Sequence, residues 1–207
     1  MRCYIFASAG INSYEWLKDT DFSDSFIICA DGGIRHAQAL SLKPDVWIGD
    51  GDSLDGKDCF AAEVVKLPVQ KDNTDTDLAV ELALNRGFRD IVIIGALGGR
   101  RDHEFSHYCI LKKILDSGGV GILLDEKNII TMKNKPFNLE NIGKKYVSFF
   151  PFGGDVKNFS VKGLKYEAEG LYLSCAEAQA SSNCFDDSKS ATIRFDSGYV
   201  LVIFADD

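Results

Sequence analysis

The sequence predicts a chain in two parts: a Rossmann-like, mostly parallel α/β sheet domain over residues 1–126, then a small antiparallel β-sandwich over residues 127–207. Three observations predict this. Short apolar runs alternate with helical patterns as far as Glu126, the alternation of βαβ units. Beyond it, strand-like runs follow one another between Gly, Asn and Asp turns without a convincing helical period, the texture of a small antiparallel sandwich or barrel. Finally, acidic residues stand beside glycine directly after several of the early runs, where an open α/β sheet places its ligand site.

In order, strands are expected at 3–7, 26–30, 46–48, 63–67, 91–95 and 121–124. Thr74-Asp75-Thr76-Asp77 reads as the capped start of a helix that runs to Arg86, with Gly87 as its stop. A second helix is expected from Asp102 to Asp116, because Phe105, Tyr108, Cys109, Leu111, Ile114 and Leu115 form one broad apolar stripe and Ser117-Gly118-Gly119 ends it. The texture changes near Asp125-Glu126-Lys127-Asn128. Strands are then expected at 129–132, 146–150, 171–174, 191–195 and 199–204.

Composition narrows the function. Acidic residues outnumber basic ones, 31 to 23, for a formal charge of −8 over 207 residues, so non-specific binding to nucleic acid is not expected. No apolar run approaches the roughly 20 residues that span a bilayer, and the stretch before Ser8-Ala9-Gly10 is too short for a signal sequence. A cytoplasmic chain without membrane contact is the expectation. Its six cysteines include no C-x-x-C pair and read as reduced, mostly structural thiols.

The chemistry is concentrated in three clusters. Asp31-Gly32-Gly33 and Gly49-Asp50-Gly51-Asp52-Ser53 each follow a strand, and Asp50 and Asp52 have the i, i+2 spacing that lets two loop carboxylates share a hard cation; solvated turn aspartates are the plain alternative. Gln70-Lys71-Asp72-Asn73-Thr74-Asp75-Thr76-Asp77 gathers further carboxylates at a helix start, where capping explains Asp75 and Asp77. Lys71 beside Asp72 adds what a phosphate and Mg²⁺ site contains. Gly95-Ala96-Leu97-Gly98-Gly99-Arg100-Arg101-Asp102-His103 combines a glycine turn, two arginines and a helix start, all suited to phosphate oxygens.

A competing motif, His103-Glu104-Phe105-Ser106-His107, fits the H-E-x-x-H pattern of zinc hydrolases. It opens its helix directly after Gly98-Gly99 instead of lying within one, and it leaves the Asp/Gly clusters without a purpose. A non-catalytic nucleotide-binding module is the third reading, though such a module has no need of so many metal-seeking carboxylates.

Taken in order, Ala30-Asp31-Gly32-Gly33, Pro44-Asp45-Val46-Trp47-Ile48-Gly49-Asp50-Gly51-Asp52-Ser53-Leu54, Lys71-Asp72-Asn73-Thr74-Asp75 and Gly98-Gly99-Arg100-Arg101-Asp102-His103 resemble the successive motifs of the thiamine pyrophosphokinase family. Lys162-Gly163-Leu164-Lys165-Tyr166 and Ser182-Asn183 resemble motifs of its C-terminal β-domain. The match departs from the family pattern at Gly51, at His107, where Asn is common, and at Cys184, where Glu is usual.

This resemblance implies an N-terminal ATP- and Mg²⁺-binding catalytic domain, a C-terminal thiamine-binding and dimerisation domain, and a homodimer with composite active sites. The implied reaction transfers pyrophosphate from ATP to the hydroxyethyl oxygen of thiamine, giving thiamine diphosphate and AMP. It implies metal positions at Asp50, Asp52, Asp72 and Asp75, with Asp52, Asp72 and Asp75 also catalytic; Asp72 or Asp75 is the leading proton acceptor. Asp31, Gln70, Lys71, Thr74, Gly98, Gly99, Arg100, Asp102 and His103 are implied to bind ATP, and Ser182 and Asn183 thiamine.

Overall fold

The computed structural model describes residues 1–51, 60–68, 72–186 and 188–207. The chain divides into two compact units, Met1–Glu126 and Lys127–Asp207.

In the first unit, strands β1 (Arg2–Phe6), β2 (Ser25–Ala30), β3 (Val46–Gly49), β4 (Glu63–Lys66), β5 (Asp90–Ile94) and β6 (Val120–Leu124) lie in the order β4-β3-β2-β1-β5-β6. All of these pairings are parallel. The central strands are buried almost throughout, as in a parallel sheet covered on both faces, which is why they read as unbroken apolar runs. β4, at the edge, is mostly exposed.

Helices α1 (Ile34–Ala39), α2 (Asp75–Asn85) and α3 (Arg101–Asp116) cover this sheet, with a 3₁₀ turn at Glu15–Leu17 and another at Asp31–Gly33. The cap predicted for α2 is present: Thr74 Oγ1 accepts from the Asp77 amide at 3.2 Å. Lys113 of α3 reaches Asp77 (2.6 Å) and Glu81 (2.7 Å), joining the two helices. One face of the sheet closes over Tyr4, Phe6, Ile27, Trp47, Val92 and Ile94.

The second unit contains only strands among its described residues. Strands β7 (Asn128–Lys133), β9 (Tyr146–Pro151) and β13 (Val200–Ala205) pair antiparallel in the order β7-β13-β9. Strands β8 (Phe137–Glu140), β10 (Val156–Lys162), β11 (Ala168–Leu173) and β12 (Ser190–Arg194) form an antiparallel sheet in the order β11-β10-β12-β8. Both sheets contribute to one core, in which Phe149 and Phe159 meet with ring centroids 5.3 Å apart.

Among the described residues, helix α1 and strands β8 and β10 lie outside the sequence expectation, as do the two 3₁₀ turns. Helix α1 has six residues, too few to display a helical period. β8 has four residues, and β10 contains a register shift around Asn158, whose φ of +55° interrupts the strand alternation.

Candidate active site

Parallel β1, β2 and β5 end side by side, and the chain that follows each forms part of one cleft of about 390 Å³. Ser8, Ala9 and Gly10 follow β1, Asp31 follows β2, and Ala96, Gly99 and Arg100 follow β5. Thr74, Asp75 and Thr76 open α2, while His103 and His107 come from the first turns of α3. The strand order reverses between β1 and β5, so the cleft lies where a doubly wound sheet leaves its binding crevice.

Asp31 is the least satisfied polar group of this cleft. Its φ of +50° lies in the left-handed region, and Trp47 Nε1 donates to its carbonyl at 3.0 Å. One carboxylate oxygen accepts a long bond from Ser8 Oγ at 3.5 Å. The other, Oδ1, is the single buried side-chain polar atom among the described residues without a partner. Such an atom costs free energy unless a ligand completes it. Asp50 stands half-buried one residue beyond β3, and a Cβ at the preceding Gly49 would lie 3.1 Å from the Asp31 Cα. Asp31 and the β3 terminus are therefore in direct contact.

The glycine turn after β5 is tied to α3. Glu104 Oε2 accepts from the Gly98 amide (3.4 Å) and from Arg101 (2.8 Å), and Glu104 Oε1 accepts from Tyr108 (3.2 Å). Burial, reinforced by Glu104, raises the Tyr108 hydroxyl to about 12. Arg100 reaches both oxygens of Asp102 (3.2 and 2.5 Å), holding that exposed carboxyl down at about 2.

His107 is nearly fully buried, and its Nδ1 donates to the Ala96 carbonyl at 2.7 Å. Burial keeps this ring below its ordinary value of 6.5. Glu104 is committed to the glycine turn and His107 to Ala96, and among the described residues no three His, Cys, Asp or Glu side chains converge on a metal-sized point. The zinc-hydrolase reading of His103, Glu104 and His107 therefore fails on geometry.

Of the expected ATP and catalytic residues, the cleft brings together Asp31, Thr74, Asp75, Gly99, Arg100 and His103. Asp50, exposed Asp72, Gly98 and Asp102 do not line it, while Asp52, Gln70 and Lys71 lie outside the described residues. Ser8, Ala9, Gly10, Thr76 and Ala96 line the cleft outside the residues expected to bind or catalyse, and so does His107, which the sequence offers only as part of the zinc motif. The signal for Ser8–Gly10 was their place directly after the first strand.

In the second unit, Ser182 adopts φ +57° and its amide donates to Ser148 Oγ at 2.9 Å. Asn183 is buried and its amide group is engaged within the fold. Its Oδ1 accepts from the Tyr166 and Cys184 amides, each at 3.0 Å, and Nδ2 donates to the Tyr166 carbonyl at 2.8 Å. The side chain thus pins the turn at Tyr166, which accounts for an Asn here without a ligand.

Comparison with known proteins gives a consistent answer. Residues 18–120 match the family described as thiamin pyrophosphokinase, catalytic domain, and residues 128–200 match thiamin pyrophosphokinase, vitamin B1 binding domain. The chain is 31% identical to thiamine pyrophosphokinase of Bacillus subtilis over 67% of this chain and 65% of that protein's length. It is 34% identical to thiamin pyrophosphokinase 1 of Caenorhabditis elegans over 75% of this chain and 70% of the relative. The crystal structure of the Bacillus subtilis thiamine pyrophosphokinase superposes with a TM-score of 0.91 at 27% identity, covering 100% of both chains. That of the Geobacillus thermodenitrificans thiamin pyrophosphokinase gives 0.89 at 27%, covering 100% of this chain and 98% of the other.

Proposed function

Since the chain belongs to the thiamin pyrophosphokinase family, enzymes that transfer pyrophosphate from ATP to thiamine, we propose that the cleft at the β1–β5 strand ends is its ATP and catalytic site. The observation that carries this reading is the orphaned Asp31 Oδ1 in a cleft that also holds Asp75, Gly99, Arg100 and His103. We read the first unit as a Rossmann-like ATP- and metal-binding domain and the second as a β-sandwich for thiamine binding and dimerisation, supported by the parallel sheet of the one and the shared two-sheet core of the other.

A buried carboxylate oxygen lacking a donor is what a hard cation completes, so the residues fit Mg²⁺, which keeps waters and phosphate oxygens among its ligands. Asp50, Asp52, Asp72 and Asp75 would hold it; of these, Asp75 lines the cleft with Asp31, and Asp50 follows the β3 terminus that touches Asp31. When bound, the ion neutralises polyphosphate charge and orients the β-phosphoryl group. Arg100 and the Gly99 amide bind phosphate oxygens, with Gly98 shaping the turn and the N-terminus of α3 aiding; Gln70, Lys71, Thr74, Asp102 and His103 complete the ATP contacts.

The hydroxyethyl oxygen of thiamine attacks the β-phosphorus, the bond to the α-phosphate oxygen breaks, and AMP leaves. The hydroxyl proton passes to a carboxylate, for which Asp75 is the leading residue because it lines the cleft; Asp72 and Asp52 support the metal side. The strip at Ser182 and Asn183 contacts thiamine across a homodimer, making composite sites, with Asn183 shaping the strip through Tyr166. A cytoplasmic setting suits an ATP-dependent enzyme whose Cys3 is free and buried.

Incubation with ATP, Mg²⁺ and thiamine tests this reading. AMP formation that requires thiamine is expected and should disappear on chelation of the metal; AMP release indifferent to thiamine, or turnover indifferent to chelator, would overturn it.

A further inference from the structure

His36 of α1 has no exposed surface, and its ring is held from both sides. Nε2 lies 2.9 Å from the Ala9 carbonyl and Nδ1 lies 2.7 Å from the Tyr14 hydroxyl. A carbonyl only accepts, so Nε2 carries a proton; burial disfavours a second one, so Nδ1 holds the lone pair and the Tyr14 O–H donates to it. The ring is neutral and both nitrogens are satisfied. Its neighbour Arg35 donates to the Ser8 carbonyl. Two successive residues of α1 thus hold two successive carbonyls of the segment that follows β1.

That segment is a wall of the cleft. Its opposing surface is the glycine turn, and the two are close: a Cβ at Gly99 would stand 3.2 Å from the Ala9 Cβ. Displacement of Ala9 would therefore move the wall against the turn that carries Arg100. The ring's approach is itself provided for. A Cβ at Gly95 would stand 3.2 Å from His36 Nε2 and 2.6 Å from the Ala7 carbonyl, at a φ of +72°. Glycine at residue 95 keeps this space open for the imidazole.

We propose that His36, held at Nδ1 by Tyr14, is a positioning residue for the nucleotide: it fixes Ala9, and through Ala9 the separation between Ser8–Gly10 and Gly99–Arg100. It touches no reacting atom. The inference rests on the cleft being the ATP site.

Two near-isosteres separate the two ends of the ring. His36→Gln places an amide N–H close to the position of Nε2 and keeps the bond to Ala9 while losing the acceptor for Tyr14. His36→Asn keeps an acceptor near Nδ1 but stops short of Ala9. With KM for each substrate, kcat, ATP affinity by calorimetry and thermal midpoint measured on the full chain, His36→Asn should raise KM and Kd for ATP about fivefold, the ordinary effect of one lost hydrogen bond, and leave KM for thiamine within about twofold. His36→Gln should recover most of the ATP affinity even where its midpoint falls as far as that of the Asn variant. If His36→Asn does not fold, Tyr14→Phe, which keeps the ring and removes its donor, should raise KM for ATP about twofold by the same reasoning. Equal ATP constants in the Gln and Asn variants, a Tyr14→Phe enzyme identical to wild type, or a rise in both substrates' KM in step with lost stability would overturn the proposal while leaving the ATP assignment standing. A wild-type chain that binds no ATP would end both.

Discussion

Asp31 combines two features that stability alone does not favour: a left-handed backbone and a buried carboxylate oxygen with no donor. Asn tolerates that backbone and carries no charge to bury. Asp31→Asn should therefore lower kcat by at least roughly 100-fold, the scale of losing a preorganised electrostatic group, while the thermal midpoint stays level or rises by about one or two degrees. Turnover close to wild type, measured at saturating Mg²⁺ and ATP, would remove Asp31 from the site. Protonation provides a second prediction. Burial, chiefly, holds His36 and His107 below 6.5 in the folded chain; Arg35 opposes charging of His36 and His103 opposes that of His107, whereas hydrogen bonds to backbone carbonyls and, for His107, nearby Glu104 favour it. In the unfolded chain both titrate near 6.5, so below that pH the unfolded state binds more protons and the folded state loses ground until the lower folded values are reached. The midpoint should fall between about pH 7 and pH 5, and less steeply in His36→Gln; an equal slope in that variant would show that His36 contributes nothing. At this scale the sequence pointed to Asp31, Asp75 and Arg100, which the structure places around the cleft, because charge beside glycine or at a helix start is a local pattern. It did not disclose His36, Thr76 or Ala96, whose importance arises from which strand lies beside which. Asn183 was a reasonable ligand candidate, and only its partners in space show that its amide is engaged within the fold.

At the scale of elements, the cleft depends on how tightly the turn after β2 rests on β1. A Cβ at Gly33 would lie 1.9 Å from the Phe6 carbonyl oxygen and 2.6 Å from its carbon, and both are backbone atoms that cannot swing aside. Gly33→Ala should cost about 3 kcal/mol or more, or prevent folding, where an ordinary surface Gly→Ala change moves stability by well under 1 kcal/mol. Gly10, with nothing within 4 Å of its Cβ position, is the matched control in denaturant titration; equal effects of the two substitutions would contradict this packing. The parallel strands were legible because burial on both faces writes a continuous apolar run, and α2 because its cap and acidic first turn are local. Helix α1 was not: six residues show no period, and the positioning it performs through Arg35 and His36 is tertiary. β10 was hidden by its own irregularity at Asn158, and β8 by its brevity.

For the whole molecule, the change of texture after Glu126 reflects a physical difference between the units: a sheet sheltered by helices needs apolar runs, whereas two sheets sharing one core need alternation. The charge of −8 bears on function at this scale too, since it favours approach of cationic thiamine and opposes free ATP until cations offset the phosphates. Attack at the β-phosphorus of ATP in this cleft is tested by supplying ATP labelled at that phosphorus, with Mg²⁺ and thiamine, and separating the products. The label should appear in thiamine diphosphate, with unlabelled AMP formed in equal amount; label retained in ADP, with a thiamine monophosphate as co-product, would contradict it.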